Sequence, residues 1–151
     1  MFAIDFLPDS PEEIISGERS RYAAVELSGL RERVLVPLTF WSVADYRHHW
    51  REALRRTAAG HPRSALITCM YDPRTANFIQ WWPLYRVAGW VFVQNQILFM
   101  SATAGPFHPS EPYVHVPERR TRNEDGERLS EWGVGVEDLQ GFLTDTAEHW
   151  R

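Results

Sequence analysis

Hydrophobic and polar residues alternate from the start of the chain. Phe2, Ile4 and Phe6 face one way against Ala3, Asp5 and Leu7, the period-two pattern of a half-buried strand over residues 2–7. Pro8 and Pro11, with Asp9, Ser10, Ser16 and Gly17, then predict an exposed acidic loop that cannot continue the strand. Residues 22–27 and 31–38 read as a hairpin joined through Ser28 and Gly29, where glycine takes the positive φ of a tight turn. The period changes over residues 43–59. Here Tyr46, His49, Trp50, Ala53, Leu54 and Thr57 recur at three- and four-residue spacing and form the buried face of a helix. Ser42 stands as its cap, Asp45 at the third helical position, and Gly60 with Pro62 ends it.

Residues 64–71, 77–86 and 90–99 read as strands dominated by aromatic and β-branched side chains, as expected of a core packed on both faces. Val87 to Gly89 supply a hairpin turn. Pro83 cannot donate a ladder hydrogen bond, so an edge, a bulge or a break is expected there. Trp81 and Trp82 are consecutive in a strand and point to opposite faces, so at most one could be an exposed platform, and both are assigned to the core. Residues 106–128, rich in proline and charge, predict a long irregular segment with a short strand at 113–116. A strand returns at 131–134. Residues 136–150 form a final amphipathic helix using Leu139, Phe142, Leu143 and Ala147. The fold class expected is α+β: a single domain, 1–151, with a largely antiparallel sheet packed by one long central helix and a C-terminal helix.

Composition narrows the class. Hydrophobic residues make up 44% and charged residues 24%, which excludes a disordered chain. The longest apolar runs are strand-sized and no signal segment opens the chain, so a soluble protein in the cytoplasm of its maker, without a membrane partner, is expected. A single cysteine, Cys69, can form neither an internal disulfide nor a multi-cysteine zinc site. Every basic residue is arginine. Residues 1–18 carry Asp5, Asp9, Glu12, Glu13 and Glu18 with no arginine, residues 42–63 have an arginine excess, and residues 106–151 are acidic again. The ends are acidic and the middle basic, an asymmetry able to steer a basic partner.

Candidate chemistry is sparse. Cys69 lies between apolar neighbours in a strand, without the positive charge or helix terminus that makes a thiolate, and reads as a small buried residue. His48 and His49 are adjacent on a helix and diverge. The remaining histidines are scattered, and no metal-ligand spacing, phosphate loop or nucleophile elbow occurs. No catalytic, cofactor or metal residues are assigned. The formal net charge of −4, with the basic excess largely on one helix, argues against a nucleic-acid partner.

Several blocks in order carry a family resemblance: an MFxIxF-like start, PLTFWSVADYRHHWREAL, SALITCMYDP, NFIQWWPLYR, VFVQNQILF, and DGERLSEW near the end. Together they resemble the CdiI immunity proteins of contact-dependent growth inhibition, whose members share an N-terminal domain. The resemblance implies an α+β protein that binds the C-terminal toxin domain of a large secreted effector and protects the producing cell by occlusion, without chemistry. The toxins it admits include ribonucleases of RNase A-like fold.

A phosphate-binding cleft is basic, and an acidic inhibitor surface would be attracted to it. Asp9, Glu12, Glu13 and Glu18 in the first loop, or Glu111, Glu118, Glu124, Asp125 and Glu127 in the later one, are therefore the expected toxin-binding carboxylates. Tyr113 and Arg119 are the expected anchors, because tight interfaces depend on buried aromatic or arginine side chains. Two other readings stand beside this one. One is an enzyme with an unrecognised site at Cys69 or a histidine; the other is a small-molecule or carbohydrate-binding domain built on an exposed tryptophan. Oligomeric state is left open.

Overall fold

Two serine–glycine turns organise the first third of the computed structural model, which describes residues 1–150. Ser16 and Gly17 (φ 52° and 81°) and Ser28 and Gly29 (φ 48° and 80°) each hold two successive residues at positive φ. That backbone makes the two-residue turn whose twist matches paired strands. The turns join β2 (Glu13–Ile15), β3 (Glu18–Leu27) and β4 (Leu30–Pro37) into one antiparallel meander. β1 (Phe2–Phe6) pairs with the second half of β3, along the edge that β2 occupies further on. This corrects the loop expected over residues 8–17. β3 begins four residues before the alternation becomes evident, and the first turn folds residues 13–15 back onto it.

α1 (Val43–Ala58) starts at the expected cap: Ser42 Oγ accepts the Asp45 N–H at 3.1 Å, and the Asp45 carboxylate accepts the Ser42 N–H at 2.9 Å. Its buried residues are the six of the predicted stripe.

The second sheet has β6 (Phe78–Val87) at its centre. β5 (Arg63–Cys69) lies on one edge of it, and β7 (Trp90–Gln94) and β8 (Gln96–Phe99) follow one another on the other; β9 (Glu131–Gly135) pairs with β7. Residues 90–99 were expected as one strand. β7 and β8 do keep a single register against β6, with Leu84 opposite Val93 and Trp81 opposite Gln96, but the ladder lapses opposite Pro83, which has no N–H to give. The nine strands of the described residues form two antiparallel sheets, within the α+β class expected. Trp81 and Trp82 fall on opposite faces of β6 and are each 1% exposed, because both faces are covered.

β4 of the first sheet crosses the Trp82 face. The Tyr46 hydroxyl donates to Pro37 O at 2.7 Å and accepts the Met70 N–H at 3.0 Å, Asn95 Nδ2 donates to Glu32 at 3.4 Å, and the Ser28 hydroxyl donates to the Gly133 carbonyl. The later irregular segment runs over the opposite face. There Tyr85 Oη donates to Pro117 O at 3.0 Å, Gln94 Nε2 donates to Arg120 O at 2.8 Å, and Phe107 and Val116 are buried.

Two more expectations change. Residues 112–115 form a 3₁₀ turn, not a strand. Pro112 fixes the first φ, and the N–H groups of Val114 and Val116 bond back to Glu111 O and Tyr113 O. α2 (Val136–Thr146) is shorter than residues 136–150. Leu139 is buried and Phe142 and Leu143 are half-buried, but Ala147 lies outside the helix and exposed. Trp150 takes the place expected of it, packing edge-to-face with Phe142 and at a tilt against Trp50 while its Nε1 donates to Asp5 Oδ2 at 3.1 Å. No helix among the described residues is long and apolar enough to cross a membrane.

Candidate functional site

The carboxylates of the two acidic segments lie on different sides of the molecule. Residues 8–18 belong to the first sheet. Leu7 and Ser10 bind the backbone of Tyr22 through Leu7 N–H to Tyr22 O at 3.0 Å and Tyr22 N–H to Ser10 Oγ at 3.1 Å. The later carboxylates ride on the segment that covers the opposite face of the second sheet. No hydrogen bond or ion pair among the described residues joins the two groups.

In the first group Glu12 faces Arg19 at 3.5 Å, both well exposed, and Glu18 accepts the Thr39 hydroxyl. Asp9 and Glu13 are exposed and carry no ion pair among the described residues. They border an open groove of about 440 Å³ together with Tyr22, Arg31 and Arg33. The arginines of that groove are already engaged: Arg31 pairs with Glu26 at 2.9 Å, and the Arg33 guanidinium lies 3.8 Å from the Tyr22 ring centroid. Glu18 reaches a second groove, which it lines with Ile15, Leu35, Pro37 and Tyr71.

In the second group Glu111, Glu118, Glu124, Asp125 and Glu127 are exposed. Residues 123–127 are a tight turn: Asn123 Oδ1 accepts the N–H groups of Asp125 and Glu127, and Asn123 N–H returns to Glu127 O. Tyr113 and Arg119, expected as anchors for a partner, are both engaged within the chain. The Arg56 guanidinium stacks 3.6 Å from the Tyr113 ring centroid. Arg119 grips Glu131 through two hydrogen bonds of 2.9 and 2.6 Å and lies 4.0 Å over Phe92. That guanidinium holds the Glu131 carboxyl below its ordinary range. Tyr113 fastens the irregular segment to α1, and Arg119 fastens it to the second sheet.

The side chains with catalytic potential sit in unreactive surroundings. Cys69 is 5% exposed, and burial pushes its thiol up, away from the thiolate. The His49 ring is buried beside Trp41, and its Nε2 accepts the Ile67 N–H at 2.7 Å. Burial, with a smaller effect from His48, lowers its pKa to about 3, so it is neutral at any physiological pH. No group of three or more metal-ligating side chains converges among the described residues.

The sequence pattern placed all of residues 90–99 in the core, and there the structure departs from it. Ile97 and Phe99 are exposed, as is Trp90 at the β6–β7 turn. Periodicity gives the face of a strand but not what covers that face. The uncharged polar run Gln94-Asn95-Gln96 just before them was the one available sign that the strand leaves the interior.

Comparison with known proteins gives a consistent picture. The model of the CdiI N-terminal domain matches residues 36–142. A protein of Enterobacter cloacae subsp. cloacae described as immunity protein CdiI is 30% identical over 128 residues, covering 85% of this chain and 88% of that protein. The fold aligns with a chain of the solved CdiA-CT/CdiI toxin and immunity complex from Enterobacter cloacae. The TM-score is 0.86 at 28% identity, over 97% of this chain and 99% of that one.

Proposed function

The chain belongs to the family defined by the CdiI N-terminal domain, and from that premise we propose that it is an immunity protein, binding a cognate toxin domain and holding it inactive in the cell that makes both. The observation that carries this reading is the end-to-end likeness to a chain of a toxin and immunity complex, where 97% of one chain and 99% of the other align. A likeness confined to one element would speak for shared architecture alone.

The mode of action is stoichiometric occlusion. Catalysis would need a nucleophile or base poised for reaction. The environments of Cys69 and His49 favour the protonated thiol and a ring nitrogen occupied by a backbone N–H. The partner is a C-terminal toxin domain of a secreted effector, met in the cytoplasm. Its expected class is a ribonuclease with a basic cleft, which the unpaired carboxylates of Asp9 and Glu13 would draw in over distances of about a Debye length, ~8 Å at physiological salt.

Co-expression with the toxin domain encoded immediately upstream tests the function in cells. Growth restored by this chain and not by an unrelated immunity protein supports the reading. Continued arrest, with the chain soluble and folded, refutes it.

A further inference from the structure

The second sheet ends in β5 on one side and in β9 and β8 on the other, and the chain treats the outer edges of β5 and β8 oppositely. The free edge of β5 is sealed by α1: His49 Nε2 accepts the Ile67 N–H, Trp50 Nε1 donates to Ile67 O at 2.8 Å, and Tyr46 Oη accepts the Met70 N–H. β8 is left open. β9 pairs only as far as Gln94, so no strand among the described residues pairs with the outer edge of Gln96–Phe99. That tetrapeptide carries no charge or proline of the kind that guards edge strands.

The side chains on this stretch are uncovered for a geometrical reason. The first sheet crosses the Trp82 face along a line marked by Pro37, which the Tyr46 hydroxyl links to Met70, by Glu32 of β4 at Asn95, and by Ser28 of the β3–β4 turn at Gly133. Residues of that face on one side of the line, Trp82, Leu84, Val91 and Val93, are buried. Beyond it Ile97 is 52% exposed and Phe99 56%. Phe99 lies opposite Phe78, with ring centroids 6.4 Å apart, and Phe78 meets Tyr71 at 6.3 Å. The apolar strip therefore runs from β8 across β6 to Tyr71, and there it meets the groove that Tyr71 shares with Glu18 of the β2–β3 hairpin. An uncovered aromatic centre with carboxylates at its margin has the anatomy of a protein interface: an apolar core and a charged rim.

We propose that this strip, centred on Ile97 and Phe99 and bordered by the acidic β2–β3 hairpin, is the surface that docks the toxin. The inference rests on the immunity reading above and deepens it. The partner is a protein surface with an apolar or arginine-bearing centre and a basic margin facing Glu13 and Glu18. Charge decides the occupant: Arg19 and Arg31 pair with Glu12 and Glu26, and Asp9, Glu13 and Glu18, which have no ion pair among the described residues, outnumber Arg21 and Arg33, so this margin is net negative and a second copy would bring like charge against it.

The test measures binding of the upstream-encoded toxin domain by calorimetry to the wild-type chain and to the double variant Ile97→Asp, Phe99→Asp. Circular dichroism and gel filtration accompany each. Loss of two apolar anchors should weaken binding about 100-fold or more with the fold retained. Hydrogen exchange on the wild-type chain needs no variant: the amides of residues 96–99 should gain protection when toxin is added. Unchanged affinity of a folded variant, or no protection at 96–99, overturns the surface while leaving immunity standing. A variant that loses self-association but keeps toxin affinity assigns the strip to a second copy and overturns it too. Failure of the wild-type chain to bind at all refutes the immunity reading, and this inference with it.

Discussion

The Nε2 atom of His49 accepts the Ile67 N–H at 2.7 Å, and one residue further along α1 the indole of Trp50 donates to the carbonyl of the same Ile67. Two consecutive helix side chains thus satisfy both polar groups of one edge-strand residue. A buried backbone group without a partner costs about 1–3 kcal/mol, so this pairing is what allows β5 to end the sheet inside the molecule. It also fixes the protonation of His49, since a ring nitrogen that accepts a hydrogen bond cannot carry a proton.

Acid stability should report that proton. The folded pKa of His49 lies near 3, below the ordinary 6.5, so the unfolded chain takes up the proton first as pH falls. Stability from this residue is complete above pH 6.5 and declines between there and about 3, at up to ~1.4 kcal/mol per pH unit. Denaturant titrations of wild type and His49→Gln across this window check it. The glutamine amide keeps an acceptor without titrating, so the variant should lose this part of the slope; equal slopes would show that His49 is not buried and neutral.

Fastening of the irregular segment is the expected role of Arg119. Arg119→Ala leaves Glu131, whose side chain is 15% exposed, with Gln94 as its remaining polar partner. The loss should be about 1–2 kcal/mol, for charge-assisted hydrogen bonds partly open to water. Limited proteolysis should show faster cleavage within residues 106–128 than in wild type. Unchanged cleavage and melting would return Arg119 to the list of residues free to meet a partner.

Cys69 should be chemically silent. Replacement by serine is expected to leave protection against the toxin intact, and the native chain should react with a thiol reagent only at its rate of opening, since the thiol is buried and held protonated. Loss of protection in a folded Cys69→Ser chain would revive the enzymatic reading.

Most elements were legible because they follow local rules. The α1 stripe and its cap are set by spacing within one helix, and all six stripe residues are buried as expected. Strand existence followed from alternation, and Pro83 marks the lapse in the ladder. What was illegible depended on distant partners. β2 is recognisable only once the early start of β3 is known, although Ser16-Gly17 repeats the signal of Ser28-Gly29. That Tyr113 and Arg119 meet Arg56 and Glu131, from other elements, is likewise not visible in the sequence. The exposure of Ile97 and Phe99 follows from the line along which β4 crosses the sheet, a tertiary fact that no period in the chain records.

Titration of toxin activity against increasing amounts of this chain is the most direct test of occlusion. A stoichiometric inhibitor of nanomolar affinity, roughly −12 kcal/mol, removes activity in a straight line that reaches zero at one chain per toxin. Activity that persists beyond equivalence, or that vanishes at a small fraction of it, would contradict occlusion; the second outcome would mean that the chain acts on the toxin catalytically.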